Sequence, residues 1–196
     1  MLKIVKAACV AFVLAVIYSV IPFNAGCREI YTDVFRFHIL ANSDSAADQS
    51  LKLKVRDRVL SETKALFNSA KSKEEAQNLV SGKLQFIADA AYDEVLKNGS
   101  DYKVTAQITN MYFNTRKYKN YTLPPGMYDA LRVTIGNGEG HNWWCVMYPS
   151  LCLSPQPDEE AKRALDQNEY DVVHEEKTEY KFKIIEFFEK IRSFFT

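Results

Sequence analysis

The hydrophobic pattern changes period several times along the chain, and each change marks an element. Residues 7–23 carry no charge and are rich in Ala, Val, Ile, Leu and Phe, with Lys3 and Lys6 in front. From Asp33 to Ala41, Phe35, Phe37 and Ile39 alternate with Arg36 and His38, the period of a strand with a mixed outer face. Asn42-Ser43-Asp44 breaks the strand. Ser45 followed by Asp48 forms a capping box, which predicts a helix from Ala46 to about Ala70 with Leu51, Val55, Val59 and Leu66 on one face. After Ser72, Ala76, Leu79, Val80, Leu84, Ile87, Ala88, Ala91 and Val95 recur at three- and four-residue steps, a second amphipathic helix stopped by Asn98-Gly99.

From Tyr102 the period becomes two. Val104, Ala106 and Ile108 alternate with polar residues, and after Pro124-Pro125-Gly126 so do Leu131, Val133 and Ile135. Gly136-Asn137-Gly138-Glu139-Gly140 reads as a turn and Asn142 to Tyr148 as the returning strand. The expected fold is α+β: a two-layer sandwich, a mainly antiparallel meander covered by two long helices, after an N-terminal apolar signal or anchor helix. Four segments follow: 1–27 as signal peptide or signal anchor, 28–153 as the folded domain, 154–177 as an irregular Pro-containing acidic stretch, and 178–196 as an amphipathic helix. In the last, Ile184, Phe187, Phe188, Ile191, Phe194 and Phe195 share a face that would dock on the domain, a membrane surface or a partner.

The apolar run is long for a signal peptide and short for a spanning helix, which needs about 20 residues. Its leading lysines place everything after it outside the membrane. Cleavage, a retained anchor and lipidation of Cys27 all remain open, although Asn24 spoils the lipoprotein box. The chain has 196 residues, 47% hydrophobic and 13% aromatic, enough for one sizeable core. Lys+Arg and Asp+Glu both number 25, and the export segment takes Lys3 and Lys6, leaving 23 cations against 25 acids. Such a balance excludes a nucleic-acid binder that works by bulk charge.

With Cys9 and Cys27 in or beside the apolar run, Cys145 and Cys152 are the cysteines of the folded part. An extracytoplasmic domain permits a disulfide between them, worth roughly 2.5 kcal/mol on the loop-entropy estimate. The alternative is two buried thiols. A zinc site would want closer spacing and two more ligands.

For catalysis the sequence offers little. His38, His141 and His174 are the only histidines. His38, Asp44 and Asp48 would converge near the first strand–helix junction as a metal or acid–base set, or equally as a capping cluster. Neither Gly-x-Ser-x-Gly nor His-Glu-x-x-His occurs. The glycine turn lacks the Lys-Ser/Thr of a phosphate loop and precedes a strand, so it fits a turn with positive φ angles better. Trp143 and Trp144, adjacent on a strand, face opposite sides, and the outward one is an anchor for a partner or a sugar.

Two blocks resemble one family. Phe37-His38-Ile39-Leu40-Ala41-Asn42-Ser43-Asp44, with Asp48-Gln49 and Leu51-Lys52-Leu53-Lys54-Val55-Arg56-Asp57, is similar to the opening signature of the stage II sporulation protein R family. Pro124-Pro125-Gly126-Met127-Tyr128-Asp129-Ala130-Leu131-Arg132-Val133, then Gly136, Gly138, Gly140 and Asn142-Trp143-Trp144-Cys145-Val146, then Pro149 and Leu151-Cys152, resembles its second block. The resemblance covers about residues 30–153. It implies a signal made in the forespore and exported across the forespore membrane into the intermembrane space. There it would activate a membrane-embedded aspartic protease of the mother cell (the stage II sporulation protein GA family), which removes the pro-sequence of a mother-cell sigma factor. The implied role is that of a ligand and not an enzyme, with no cofactor, no catalytic residues and no nucleic-acid partner. The membrane is met through the N-terminal segment.

The candidate partner-binding positions are Arg36, His38, Asn42, Ser43, Asp44, Asp48, Gln49, Lys52, Arg56, Arg132, Asn142, Trp143 and Trp144. The rival reading is an extracytoplasmic cell-wall hydrolase or wall-binding module using His38, Asp44 and Asp48.

Overall fold

The computed structural model describes residues 3–7, 9–11, 27–118, 121–152, 154, 156–174, 182–183 and 185–186. The chain forms two compact units: Thr32–Tyr112 with Met127–Leu165, and Met1–Tyr31 with Phe113–Gly126 and Asp166–Thr196.

In the first unit β1 (Phe35–Leu40) leads into α1 (Ala46–Ser69), α2 (Lys73–Ser81) and α3 (Leu84–Lys97), followed by β2 (Val104–Phe113). Ser45 caps α1 as its spacing predicts, its side chain accepting the Asp48 amide at 3.1 Å. The buried stripe of α1 runs Leu51, Val55, Val59, Thr63, Phe67. Leu66 is only half-buried, and Phe67 takes the place expected for it, because an unbroken four-residue step carries the stripe to 67. The second predicted helix is two: Ser72 caps α2 through the Glu75 amide, and the chain turns at Gly82-Lys83 before α3.

The sheet order is β2-β5-β1-β6, with β5 at Gly126–Ile135 and β6 at Asn142–Tyr148. β1 is parallel to β5, with Phe37 beside Leu131, and antiparallel to β6, with His38 beside Trp144. The Gly136 amide on the Lys103 carbonyl at 2.8 Å and Asn110 on Asp129 at 2.9 Å make β2 antiparallel to β5. The sheet is therefore mixed and the expected meander is corrected: β1 lies between β5 and β6, which are not a hairpin. A central strand is covered on both faces, and all six residues of β1 are buried, Arg36 and His38 included. Phe35, Phe37, Ile39, Leu131, Val133, Ile135, Cys145 and Met147 form one core with α1, α2 and α3.

The stretch expected to be irregular contains two helices, α4 (Pro157–Ala164) and α5 (Gln167–His174). They lack an apolar period but have end signals: Pro157 in the first turn of α4 with Asp158, Glu159 and Glu160, and Lys162 and Arg163 in its last turn. Asp166 and Glu169 cap α5 reciprocally at 2.8 Å.

In the second unit β3 (Arg116–Lys117) pairs antiparallel with β4 (Thr122–Leu123). Residues 27–33 are helical, and buried Cys27 and Phe182 pack with Tyr31, Val172 and Ile185. The expected C-terminal helix otherwise lies outside the described residues, as do residues 12–23 of the apolar run. Among the described residues no helix is long and apolar enough to cross a membrane.

Cys145 and Cys152 form a disulfide with Cα atoms 6.1 Å apart. Cys152 returns to the edge of β6: its amide donates to the Val146 carbonyl at 3.3 Å, and its sulfur accepts the Val146 amide at 3.1 Å. Replacing Cys152 with Ser is expected to lower unfolding free energy by roughly 2–3 kcal/mol. Urea unfolding should show the wild type falling to the variant's midpoint under reducing conditions, while the variant is indifferent to reductant.

Candidate partner-binding site

Because β1 sits between β5 and β6, the link from β5 to β6 must pass over the end of β1, where the chain leaves for α1. The two loops meet there. The Glu139 amide donates to the Asn42 carbonyl at 3.2 Å and the Gly140 amide to the Ala41 carbonyl at 3.0 Å. Asn137 donates its amide to Asn42 Oδ1 at 3.0 Å, and His141 its amide to Asp44 Oδ1 at 2.5 Å. Every one of these bonds joins the first signature block to the second. The fit needs glycine: at Gly136, with φ of 58°, a Cβ would strike the Asn42 side chain, and at Gly140 it would strike the Ser43 backbone.

Asp48 holds the loop from the helix side. Its carboxylate accepts from Asn42 Nδ2 at 2.9 Å and Ser43 Oγ at 2.6 Å, with Tyr102 as a further donor. Ser43, then Asn42, hold this carboxyl below the usual range against the opposing effect of burial. Gln49 Nε2 donates to the Ser43 carbonyl at 3.0 Å. Lys52, nearly buried, donates to Gln49 Oε1 at 2.6 Å and to the His141 carbonyl at 2.8 Å. Burial lowers its pKa, and the Asp44 charge works the other way. Asp44 Oδ1 also meets His141 Nδ1 at 2.5 Å, and these side chains are 55% and 81% exposed. The His141 hydrogen bonds hold the Asp44 carboxyl below its ordinary value.

The thirteen candidates thus fall into three groups. Asn42, Ser43, Asp44, Asp48, Gln49 and Lys52 build this clasp, with exposed Asn142 at its rim. Arg36, His38, Arg132 and Trp144 share the sheet face opposite the core. There Arg36 lies over the Tyr128 ring at 5.0 Å, and His38 stacks on Trp144 at 3.9 Å with an interplanar angle of 2°. Burial pushes the His38 pKa down to about 4, helped by Arg132 and Arg36, while a hydrogen bond with Asn142 pulls it up. Arg56 and Trp143 lie on the helix side, the guanidinium 4.9 Å from the Trp143 ring and Trp143 edge-on to Phe37 at 5.9 Å.

The tryptophans face opposite sides, as their adjacency requires. Arg36, His38, Asp48 and Lys52 are buried. Asp44 pairs with His141 rather than His38. His141 and Tyr102 were not legible as site residues; His141 directly follows the glycine turn, the one local signal for it. Among the described residues no three His, Cys, Asp or Glu side chains gather as a metal site.

This geometry defines an α+β module whose mixed sheet is closed at one end by two interlocked loops, each drawn from a different sequence block. The chain belongs to the stage II sporulation protein R family, whose sequence pattern, described as Stage II sporulation protein R, matches residues 31–157. It is 37% identical over 134 residues to Stage II sporulation protein R of Bacillus subtilis (strain 168). The alignment covers 68% of this chain and 60% of that relative, so the chain spans about 60% of the relative it matches. No solved structure matches it.

Two acid responses follow. A carboxyl lowered in the folded state stabilises the fold above its unfolded pKa and ceases to do so as pH falls through its folded value. Asp48→Ala should cost roughly 1–3 kcal/mol at pH 7, and its melting curve should approach the wild type's below about pH 4. A lowered histidine works from higher pH: protonation of the unfolded chain begins near the ordinary histidine value of 6.5, so stability falls from there toward about 4. His38→Phe should flatten that segment, worth up to about 3 kcal/mol, in urea titrations across the range.

Proposed function

We propose that this chain is an exported intercellular signal of sporulation that activates a membrane-embedded aspartic protease of the mother cell by contact. The protease belongs to the stage II sporulation protein GA family, and its activation leads to processing of the mother-cell sigma factor precursor. The signal crosses the forespore membrane into the intermembrane space, with the apolar N-terminal run as its export segment or anchor. Family membership supports this reading, and one structural observation carries it. The two family blocks converge on one end of the sheet, and their polar groups hold a fixed surface whose rim is exposed at Asp44, Asn137, Glu139, His141 and Asn142.

A contact signal needs a shape that survives export and presents the same groups every time. A ligand shifts its partner toward an active state only by binding that state more tightly. A clasp whose loops are pinned by backbone and buried carboxylate bonds loses little freedom on binding, so more of its contact energy is available for that difference. The wall-hydrolase reading relied on His38, Asp44 and Asp48; Asp48 accepts from Asn42 and Ser43, Asp44 accepts from His141 of the facing loop, and His38 stacks on Trp144.

The test is His141→Ala, which keeps the backbone amide that Asp44 accepts, scored for melting temperature and for sigma factor processing in sporulating cells. Because the His141 side chain is exposed, melting should hold while processing falls by an order of magnitude or more, about 1.4 kcal/mol of lost contact per tenfold. If processing declines only in proportion to folded protein, the rim is structural and the assignment fails.

A further inference from the structure

We propose that Asn137-Gly138 is a self-modification site, where spontaneous deamidation of Asn137 opens the clasp as the protein ages. The chain contains two Asn-Gly pairs, Asn98-Gly99 and Asn137-Gly138. Asparagine is a thermolabile residue, and a following glycine leaves the next main-chain nitrogen unhindered for attack on the asparagine amide. The fold treats the two pairs differently. Asn98 is half-buried and held at both ends of its side chain. Its Nδ2 donates to the Glu94 carbonyl at 2.8 Å and to Glu94 Oε1 at 2.9 Å, and its Oδ1 accepts from Lys54 Nζ at 2.5 Å. Asn137 is exposed, and its hydrogen bond among the described residues is made by the backbone amide, on Asn42 Oδ1 at 3.0 Å. The attacking nitrogens are matched: the Gly99 amide donates to the Leu96 carbonyl at 3.0 Å and the Gly138 amide to the Ile135 carbonyl at 3.2 Å. The side chains therefore decide between the pairs. The turn also imposes the reactive neighbour, because Gly138 has φ of 68° and a Cβ there would lie 2.6 Å from Thr134 Cγ2.

The Gly138 nitrogen attacks Asn137 Cγ. A C–N bond forms, the Cγ–Nδ2 bond breaks, and ammonia leaves with the proton from the Gly138 amide. Water then opens the resulting succinimide. Addition at Cγ gives aspartate. Addition at the main-chain carbonyl of residue 137 gives isoaspartate, in which the chain runs through Cβ and Cγ and is one carbon longer. That carbon falls inside the turn that the Gly138 amide closes on Ile135, and ahead of the amides that close the clasp. Glu139, Gly140 and His141 then lose their register on the Asn42 carbonyl, the Ala41 carbonyl and Asp44. The step needs only water and does not depend on what the rim contacts.

The test ages the purified full-length chain in detergent at neutral pH and follows it by peptide mass mapping, isoaspartate detection and hydrogen exchange. Residue 137 should become a mixture of aspartate and isoaspartate about tenfold or more faster than residue 98, whose charged partners must first let go. The amides of 139, 140 and 141 should lose protection in proportion to the isoaspartate formed. Asn137→Gln keeps the backbone amide that Asn42 accepts and must close a larger, slower ring, so its clasp should stay protected over the same period. In urea the two Asn-Gly pairs of the unfolded wild type should react at similar rates. An Asn137 that stays intact, or reacts no faster than Asn98 in the folded chain, overturns the proposal. So does a preference for residue 137 that persists in urea, or a clasp that remains protected with isoaspartate at 137.

Discussion

The structure depends on the meeting of the β1–α1 loop with the β5–β6 turn. Inserting β1 between β5 and β6 forces the later connection across the end of the earlier one, and two loops crowded together leave backbone groups that must find partners. They find them in each other: amides of 137, 139, 140 and 141 donate to oxygens of 41, 42 and 44. Asp48 then fixes the side chains that do the accepting, from the first turn of α1, where the helix also favours a negative charge. One carboxylate in the first turn of α1 thus sets Asn42 and Ser43, and through Asn42 sets the turn beyond.

This arrangement explains the composition of both family blocks without invoking chemistry at each position. Asn42 is needed for a side-chain oxygen that reaches the Asn137 amide and a side-chain amide that reaches Asp48. Gly136 and Gly140 are needed because a side chain there would occupy space held by the opposite loop. Lys52 crosses from the helix to the His141 carbonyl. Asp44 and Asp48 accept hydrogen bonds from the two loops, and a small polar rim faces outward beside them. The opposite sheet face is different in kind: His38 and Trp144 are stacked and Arg36 is buried over Tyr128, an aromatic and cationic layer whose histidine is kept neutral by burial.

Much of this was legible in the sequence because it is local. The Ser45–Asp48 cap, the strand alternation at Val104 and Leu131, the stop at Asn98-Gly99 and the opposed tryptophans follow from short-range periods and end signals. The misses share a cause. Strand order is set by pairing over nearly a hundred residues, so a turn of three glycines looked like a hairpin when it spans a strand placed there by a remote segment. The alternation of Phe35, Phe37 and Ile39 with Arg36 and His38 reads as a strand with a mixed outer face, yet both faces are buried, since only the partners of β1 decide that. α4 and α5 bury too few apolar residues to show a period and announce themselves only by charge order and capping. His141 carries no local mark of its pairing with Asp44.

Native-state hydrogen exchange of the amides of Asn137, Glu139, Gly140 and His141 tests the clasp most directly, with Asn42→Ala as the comparison. The account predicts that all four are protected in the wild type and lose protection together in the variant, although residue 42 lies far away in sequence, while amides in the middle of β1 and β5 keep theirs. Free exchange of these four in the wild type, or their indifference to the loss of Asn42, would contradict it.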